Sequence, residues 1–248
     1  MILDAPTHFL PKSCVFPTGR ETKHGAAYQV RFVEADTGEP LWEGEGVAAG
    51  FDLEQLYSVS RRRSDMDRQG VDVQVLSVPP PFGFTYTLDP LTSAAICRFL
   101  NDALVAAAGA DPGRFLAPAT LPLQSAELSL PELDRAATEL GVSGVAIGTH
   151  VGDRGWQVRP EARIIPHPPS RYFTRLWFDS LTHSAEALEY LVRVAGAERV
   201  LLGTDYPYDM CQPDPVGSLT DAGGLSDAER QLVSGSNAGA FFDVGSGE

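Results

Sequence analysis

An alternation of apolar runs and helix-patterned segments between Val71 and His150 constrains the fold of this chain most strongly. The runs at 71–78, 115–123 and 142–150 are mostly hydrophobic, as is typical of buried parallel strands. The segments 92–109 and 131–140 lie between them and carry apolar residues at helical spacing. This strand–helix–strand–helix–strand order is the pattern of βαβ units, so it predicts an α/β fold with a parallel sheet.

Three further strands are predicted, near Ile2, at Leu176–Leu181 and at Val200–Leu202, which makes six strand candidates. Ser184 is expected to cap a helix before the last strand, and Ser226 with Glu229 forms a capping box for a final helix. A (β/α)₈ barrel uses about 250 residues, and this chain has 248. Because residues 7–67 precede the second strand, the chain is about two βα units short of such a barrel.

The region from Lys12 to Gly50 is rich in Gly, Thr and Glu, and we interpret it as an irregular insertion with a small hairpin around Tyr28. The segment 52–67 is predicted to be helical. It contains Arg61, Arg62 and Arg63, which point in different directions on a helix, so they indicate a solvated or salt-bridged face rather than a phosphate site. We treat residues 1–248 as one domain.

The formal net charge of −14 argues against a nucleic acid or an anionic membrane as partner, because phosphate groups would be repelled. The three cysteines are far apart and lack CxxC spacing, so they indicate neither a disulfide framework nor a zinc ribbon. The sequence shows no signal-peptide layout and no apolar run that we read as a transmembrane segment. A cytoplasmic enzyme-like domain is therefore expected.

Two residues at predicted strand ends are candidates for chemistry. Asp205 follows the run Val200–Leu202, and catalytic groups of barrel folds collect at this end of the strands. It suits a metal ligand or a proton acceptor, although an Asp before Tyr206-Pro207 can also make turn hydrogen bonds. His8 follows the first strand and is a candidate ligand, with a packed surface histidine as the alternative.

Seven motifs then occur in an order that resembles a known family, and they cover Ile2 to about Val244 apart from the insertion. They are Asp4-x-x-x-His8-Phe-Leu-Pro, Met66-Asp-Arg-Gln-Gly-Val-Asp-Val-Gln-Val, Leu121-Pro-Leu-Gln, Gly144-Val-Ala-Ile-Gly-Thr-His, Pro168-Pro-Ser-Arg-Tyr, Phe178-Asp-Ser and Leu202-Gly-Thr-Asp-Tyr-Pro. Each motif is short, but their order is specific. The chain resembles the amidohydrolase-related proteins of the aminocarboxymuconate-semialdehyde decarboxylase branch.

The resemblance implies a distorted (β/α)₈ TIM-barrel-like fold with one divalent metal ion, usually zinc. It also implies nonoxidative decarboxylation or hydrolysis of a small carboxylated substrate, and a homodimer. The family holds its metal with Asp-x-His-x-His at the first strand, a histidine at the fifth and an aspartate at the eighth. By position, His8 matches the second histidine of the first motif and Asp205 matches the eighth-strand aspartate, which also helps to position the metal-bound water.

The chain departs from the family pattern at several positions. Pro6 occupies the place of the first histidine and has no donor atom for a metal. The Val-His-Pro of the fifth strand and the His-Gly-Gly-Gly of the sixth are absent, so the resemblance indicates an internal deletion near Arg154–Gly155. The length argument indicates the same two missing units. No arginine lies near Gly50 to bind a substrate carboxylate, so a different substrate from that of the named decarboxylase is expected.

A rebuilt metal site of His8, His150 and Asp205 is our hypothesis, because all three end predicted strands. The alternative is that His150 and His183 only make hydrogen bonds in loops. A catalytic zinc usually needs three protein ligands, and the resemblance supplies two. A catalytically inactive, internally deleted remnant or a binding scaffold therefore stays open beside a metal-dependent carboxy-lyase or hydrolase.

Overall fold

The computed structural model describes residues 1–34, 37–80, 82–148, 150–151, 154–155, 171–172 and 175–244. The Pro168–Tyr172 motif falls largely outside these residues. For His150, Arg154 and Gly155 the description covers the backbone alone.

The first strand, β1 (Leu3–His8), lies inside a row of parallel neighbours. On one side it pairs with β5 (Val73–Ser77), which pairs with β6 (Phe115–Leu116). β1 and β5 are buried along nearly their whole length, as expected of parallel strands covered on both faces. β5 is mostly apolar, whereas β1 also buries the polar residues Asp4, Thr7 and His8. The predicted βαβ arrangement is confirmed for these strands, although the predicted strand 115–123 pairs regularly over two residues only.

On its other side, β1 contacts the segment that contains β10 (Val200–Leu201). The Ala5 N–H donates to the carbonyl of Leu202 at 2.5 Å, and the His8 N–H donates to the carbonyl of Tyr206 at 2.7 Å. β10 pairs in parallel with β9 (Phe178–Asp179). β1, the first parallel strand, therefore lies between β5, the second parallel strand along the chain, and β10, the last one. This is the neighbour order of a TIM-barrel-like fold.

The predicted strand 142–150 is wrong in part. Val145 makes a single parallel bridge with Ala119 beyond β6, whereas His150 belongs to β7 (His150–Val151). β7 pairs antiparallel with β8 (Arg154–Gly155). The backbone of His150 thus lies in a short hairpin instead of ending the fourth parallel strand.

The region from Lys12 to Gly50 is more regular than the sequence analysis predicted. It forms a three-stranded antiparallel sheet of β2 (Val15–Thr22), β3 (Gly25–Val33) and β4 (Pro40–Ala49). In β3 the buried side chains of Tyr28, Val30 and Phe32 alternate with more exposed residues, so one face packs on the core. Continuous pairing with β4 supplies the regularity that the Gly-rich composition obscured.

Eight α-helices are assigned in the described residues, and several differ from prediction at their ends. They are α1 (Glu54–Tyr57), α2 (Val59–Gln69), α3 (Pro90–Ala108), α4 (Ala126–Thr138), α5 (Ala185–Ala195), α6 (Pro215–Asp221), α7 (Asp227–Gln231) and α8 (Asn237–Phe242). Ser58 divides the predicted helix 52–67 because its side chain caps α2. α4 begins five residues before the predicted start at Pro131, because Ser125 provides the cap. The Ser184 cap and the Ser226–Glu229 capping box are confirmed.

α3 covers the core between the antiparallel sheet and β5. Its residues Ile96, Leu100 and Leu104 are buried among the side chains of β3, α2 and β6. Of the helices described, α3 is also the one long and apolar enough to cross a membrane by length and composition, which the sequence analysis did not anticipate. One face of α3 is buried in this core and the rest is more exposed, as expected of a helix that packs on the surface of a core.

We expect Leu100→Ala to destabilise the protein by about 2–5 kcal/mol, because the side chain is fully buried and its loss leaves a cavity. Urea denaturation followed by circular dichroism measures the free energy of unfolding.

Leu91→Ala is the matched control in the same helix, since Leu91 is 72% exposed. Its free energy of unfolding should change by less than about 0.5 kcal/mol. Equal losses for the two variants would contradict the packing described here.

Candidate functional site

His8 and Asp205 meet at the carboxyl end of the parallel strands. His8 is the last residue of β1, and Asp205 lies four residues beyond Leu201, the end of β10. Nε2 of His8 lies 2.5 Å from Oδ1 of Asp205, although 197 positions separate them in the sequence. The side chains are 11% and 18% exposed, so the contact is largely shielded from solvent. The structure therefore brings two of the three predicted site residues together.

Asp205 has a backbone conformation that few residues other than glycine adopt. Its φ is +62°, in the left-handed region, where Asp is tolerated better than most residues. The turn that follows is closed by the backbone, since the Tyr208 N–H donates to the Asp205 carbonyl at 3.1 Å. The side chain is directed to His8, and such strain is typical of functional positions.

Asp4 is a second carboxyl group near the pair, and it has no exposed surface. Its Oδ2 accepts hydrogen bonds from Nε2 of Gln74 at 3.2 Å and from Oγ1 of Thr204 at 2.8 Å. Burial raises the pKa of Asp4 to about 7, and the two hydrogen bonds only partly oppose it. Its Oδ1 has no hydrogen-bond partner among the described residues.

Asp179, at the end of β9, is a third carboxyl group of this region. Burial raises its pKa to about 7, and the charge of Asp205 adds to this shift. Its Oδ1 accepts from the Leu181 N–H at 2.8 Å and lies against the backbone of Gly203. A Cβ at position 203 would come within 2.2 Å of that oxygen, so only glycine admits the carboxylate here.

Asp4 interacts electrostatically with Asp179, and Asp179 with Asp205, so two buried carboxyl groups with raised pKa values adjoin the His8–Asp205 pair. Such a set is suited either to holding protons near neutral pH or to binding a cation. The sequence analysis did not single out Asp4 and Asp179 as members of the site, although both lie in the quoted motifs. Sequence order alone does not show that they converge with Asp205.

An aromatic wall borders His8. The ring of Tyr208 lies edge-on to His8 with centroids 5.3 Å apart, and Phe51 packs edge-on against Tyr208 at 5.3 Å. Burial raises the pKa of Tyr208, whose side chain also hydrogen-bonds that of Tyr28. Because Tyr28 belongs to β3, the antiparallel sheet forms part of the site. No sequence pattern indicated this contribution.

A cleft of about 450 Å³ lies beside this wall. Phe51, Gln55, Arg68 and Tyr208 are among the residues that line it, but His8 and Asp205 are not. The cleft therefore borders the loop after β10 rather than the His8–Asp205 pair.

The described residues do not supply a complete set of metal donors. His8 and Asp205 offer an imidazole nitrogen and a carboxylate oxygen that converge on one point, and Nδ1 of His8 has no described hydrogen-bond partner. These donors suit a divalent metal in kind. However, no group of three His, Cys, Asp or Glu side chains among the described residues could hold a metal ion. The side chain of His150, the third predicted ligand, lies outside the described residues.

Comparison with protein families gives one clear match. The profile described as Amidohydrolase matches residues 4–166 and 154–244, which is nearly the whole chain. The 2-amino-3-carboxymuconate-6-semialdehyde decarboxylase of Dictyostelium discoideum is 23% identical over 273 positions, covering 74% of this chain and 76% of that protein. This alignment is longer than the 248-residue chain itself, so the relative contains segments that have no aligned counterpart here.

Solved structures show a similar fold. Metarhizium anisopliae IDCase in its apo form has a TM-score of 0.69 at 16% identity, covering 98% of this chain and 97% of that chain. A dihydroxybenzoic acid decarboxylase from Polaromonas sp. JS666, with bound manganese and the inhibitor 2-nitroresorcinol, has a TM-score of 0.62 at 18% identity. It covers 77% of this chain and 88% of that chain.

The raised pKa of Asp4 predicts that stability falls as pH rises. The folded protein holds this proton with a pKa of about 7, whereas the unfolded chain releases it near 4. The free energy of unfolding should therefore decrease between about pH 4 and pH 7. Asp4→Asn should reduce this decrease by on the order of 4 kcal/mol, measured by urea denaturation at several pH values in the presence of a chelator.

Asp134→Asn, at an exposed position of α4, is the control and should leave the pH dependence unchanged. If Asp4→Asn had the same pH dependence as the wild-type protein, the raised pKa of Asp4 would be refuted.

Proposed function

The chain belongs to the amidohydrolase family, and from this premise we propose that it is a metal-dependent carboxy-lyase for a small carboxylated aromatic substrate. Decarboxylation is preferred to hydrolysis because the relatives described above are named decarboxylases, and one carries an aromatic inhibitor. The aromatic wall of Phe51 and Tyr208 supports a planar substrate, because flat rings pack well against such side chains.

The His8–Asp205 contact is the observation that carries this proposal. It lies at the strand ends where barrel enzymes place their chemistry, and it is largely shielded from water. A shielded pair of this kind holds a proton or a cation more firmly than an exposed pair does.

We propose that His8, Asp205 and His150 hold the divalent ion, with zinc as the expected metal. A bound divalent ion supplies positive charge that holds substrate oxygens and offsets the negative charge that develops as CO₂ leaves. We keep His150 as the third ligand because it follows Val145 closely in the chain, and Val145 extends the parallel row beyond β6.

Asp205 has the catalytic role in this proposal. Breaking the bond between the ring carbon and its carboxylate releases CO₂ and leaves the bonding electron pair on that carbon, which must then accept a proton. Because Nε2 of His8 and one carboxylate oxygen of Asp205 would hold the metal ion in this proposal, the second carboxylate oxygen of Asp205 would hold that proton and deliver it. The buried carboxyl groups of Asp4 and Asp179, with pKa values near 7, support a site adapted to holding protons.

We further propose that about two central βα units of the barrel are absent. Two observations support this: the described part of the chain contributes six segments to the parallel row, and the alignment to the Dictyostelium relative is longer than this chain. We propose that the junction lies near Arg154–Gly155, in β8. Sequencing the encoding DNA around these codons tests the proposed deletion. If the DNA contains a segment that codes for Val-His-Pro and His-Gly-Gly-Gly, the reading frame was assigned wrongly and the protein has no deletion.

We expect about one divalent ion per chain in freshly purified protein, by elemental analysis, and its loss in Asp205→Asn and in His150→Ala. Both changes remove a proposed donor atom. The purified protein should also release CO₂ from one or more members of a panel of hydroxybenzoic acids, and Asp205→Asn should not.

His183→Ala is the control, because His183 is exposed and is not a proposed ligand. It should retain the metal. Unchanged metal content in His150→Ala would remove His150 from the ligand set, and an absence of metal in the wild-type protein would favour the inactive-remnant alternative.

A further inference from the structure

Arg62 has an environment that the sequence analysis predicted wrongly. Its neighbours Arg61 and Arg63 lie near the surface and pair with Asp65 and Asp111, as a salt-bridged helix face would. Arg62 has no exposed surface and is the largest fully buried side chain among the described residues. The run of three arginines therefore contains one interior cation.

Among the described residues, the guanidinium of Arg62 hydrogen-bonds neutral polar groups and lies against aromatic rings. Nη1 donates to Oγ1 of Thr7 and to Oε1 of Gln74, both at 3.1 Å. Its Cζ lies 4.7 Å from the centroid of the Tyr206 ring and 5.5 Å from that of Phe9. Nε and Nη2 have no hydrogen-bond partner among the described residues, so the ring faces are the main surroundings of this side of the cation.

Arg62 contacts both chain segments that carry the His8–Asp205 pair, namely the end of β1 and the loop after β10. Thr7 precedes His8, Phe9 follows it, and Tyr206 follows Asp205 directly. The two segments also join through the hydrogen bond from the His8 N–H to the Tyr206 carbonyl at 2.7 Å. The guanidinium therefore contacts the residues on both sides of His8 and the residue next to Asp205.

A second residue of α2 fixes the same ring. The hydroxyl of Tyr206 donates to Oδ2 of Asp65 at 2.5 Å, and Asp65 lies one helical turn beyond Arg62. Asp65 also pairs with Arg61 and Arg68, which keeps it in place. The Tyr206 ring is therefore tethered at its hydroxyl and stacked on the guanidinium from one helix.

Stability alone does not explain this arrangement. Burial lowers the pKa of Arg62 to about 10, so the side chain remains a cation at neutral pH. The nearby Asp4 stabilises this charge electrostatically, but no described carboxylate accepts a hydrogen bond from the guanidinium. Burying such a charge is costly, and apolar side chains of similar volume often replace buried ions without loss of stability. The planar cation can hydrogen-bond Thr7 and stack on the Tyr206 ring at the same time, which an apolar side chain cannot do.

We propose that Arg62 is a positioning residue that aligns His8 with Asp205 by joining the ends of β1 and the loop after β10 through Thr7, Phe9 and Tyr206. The catalytic consequence of this alignment rests on the proposed function, whereas the alignment itself does not. A planar guanidinium can stack on one ring while donating to Thr7, and a lysine ammonium cannot reproduce that geometry.

Arg62→Met tests the proposal, with Arg63→Met as the matched control in the same helix. Nuclear magnetic resonance of the metal-free protein reports the imidazole proton shared between His8 and Asp205, assigned with His8→Gln. We expect this downfield signal to be lost in Arg62→Met and retained in Arg63→Met, while both proteins stay folded. Titration with Co²⁺ should show an affinity about tenfold or more weaker for Arg62→Met, as for other residues that orient metal ligands.

Arg62→Met with an unchanged His8 signal and unchanged Co²⁺ affinity would overturn the positioning role. If that variant does not fold, Phe9→Leu removes one ring face and should weaken the same signal, and an unchanged signal there would overturn the role as well. A wild-type protein that shows the signal, loses it in Arg62→Met and binds no Co²⁺ would support the positioning role while contradicting the proposed function.

Discussion

The junction between the first and last parallel strands is the constraint on which the rest of this structure depends. Hydrogen bonds from Ala5 to Leu202 and from His8 to Tyr206 join segments that are about 200 residues apart. The buried Asp4 side chain reinforces the junction by accepting from Thr204. β5 and β6 continue the parallel row on one side of this junction, and β10 and β9 continue it on the other. The junction therefore gives the row its barrel-like order, and it also brings His8 next to Asp205.

Much of the fold follows from the sequence, and the exceptions have physical reasons. β5 and α3 lie within one or two residues of their predicted positions, because continuous apolar runs and helical periodicity are strong local signals. The antiparallel sheet was predicted as irregular because its regularity comes from cross-strand pairing between β3 and β4. The predicted strand 142–150 is too long, because an apolar run does not reveal that His150 belongs to a short antiparallel pair.

The part of the candidate site that follows from local sequence signals could be predicted, and the part that depends on contacts between distant segments could not. His8 and Asp205 follow strand ends, and this rule alone places them at one edge of a parallel sheet. Asp179, Tyr28 and Arg62 were not identified, since their roles depend on contacts between distant segments. The Arg62 case is the clearest: three adjacent arginines look equivalent in sequence, but helix orientation turns one of them into the interior.

Crystals of the protein soaked with Mn²⁺ and measured for anomalous scattering test the central claim most directly. The account predicts one strong anomalous peak within about 2.3 Å of Nε2 of His8 and of a carboxylate oxygen of Asp205, at the junction of β1 and the loop after β10. A map with no peak at this junction, or with the His8–Asp205 contact intact and the metal bound elsewhere, would contradict it.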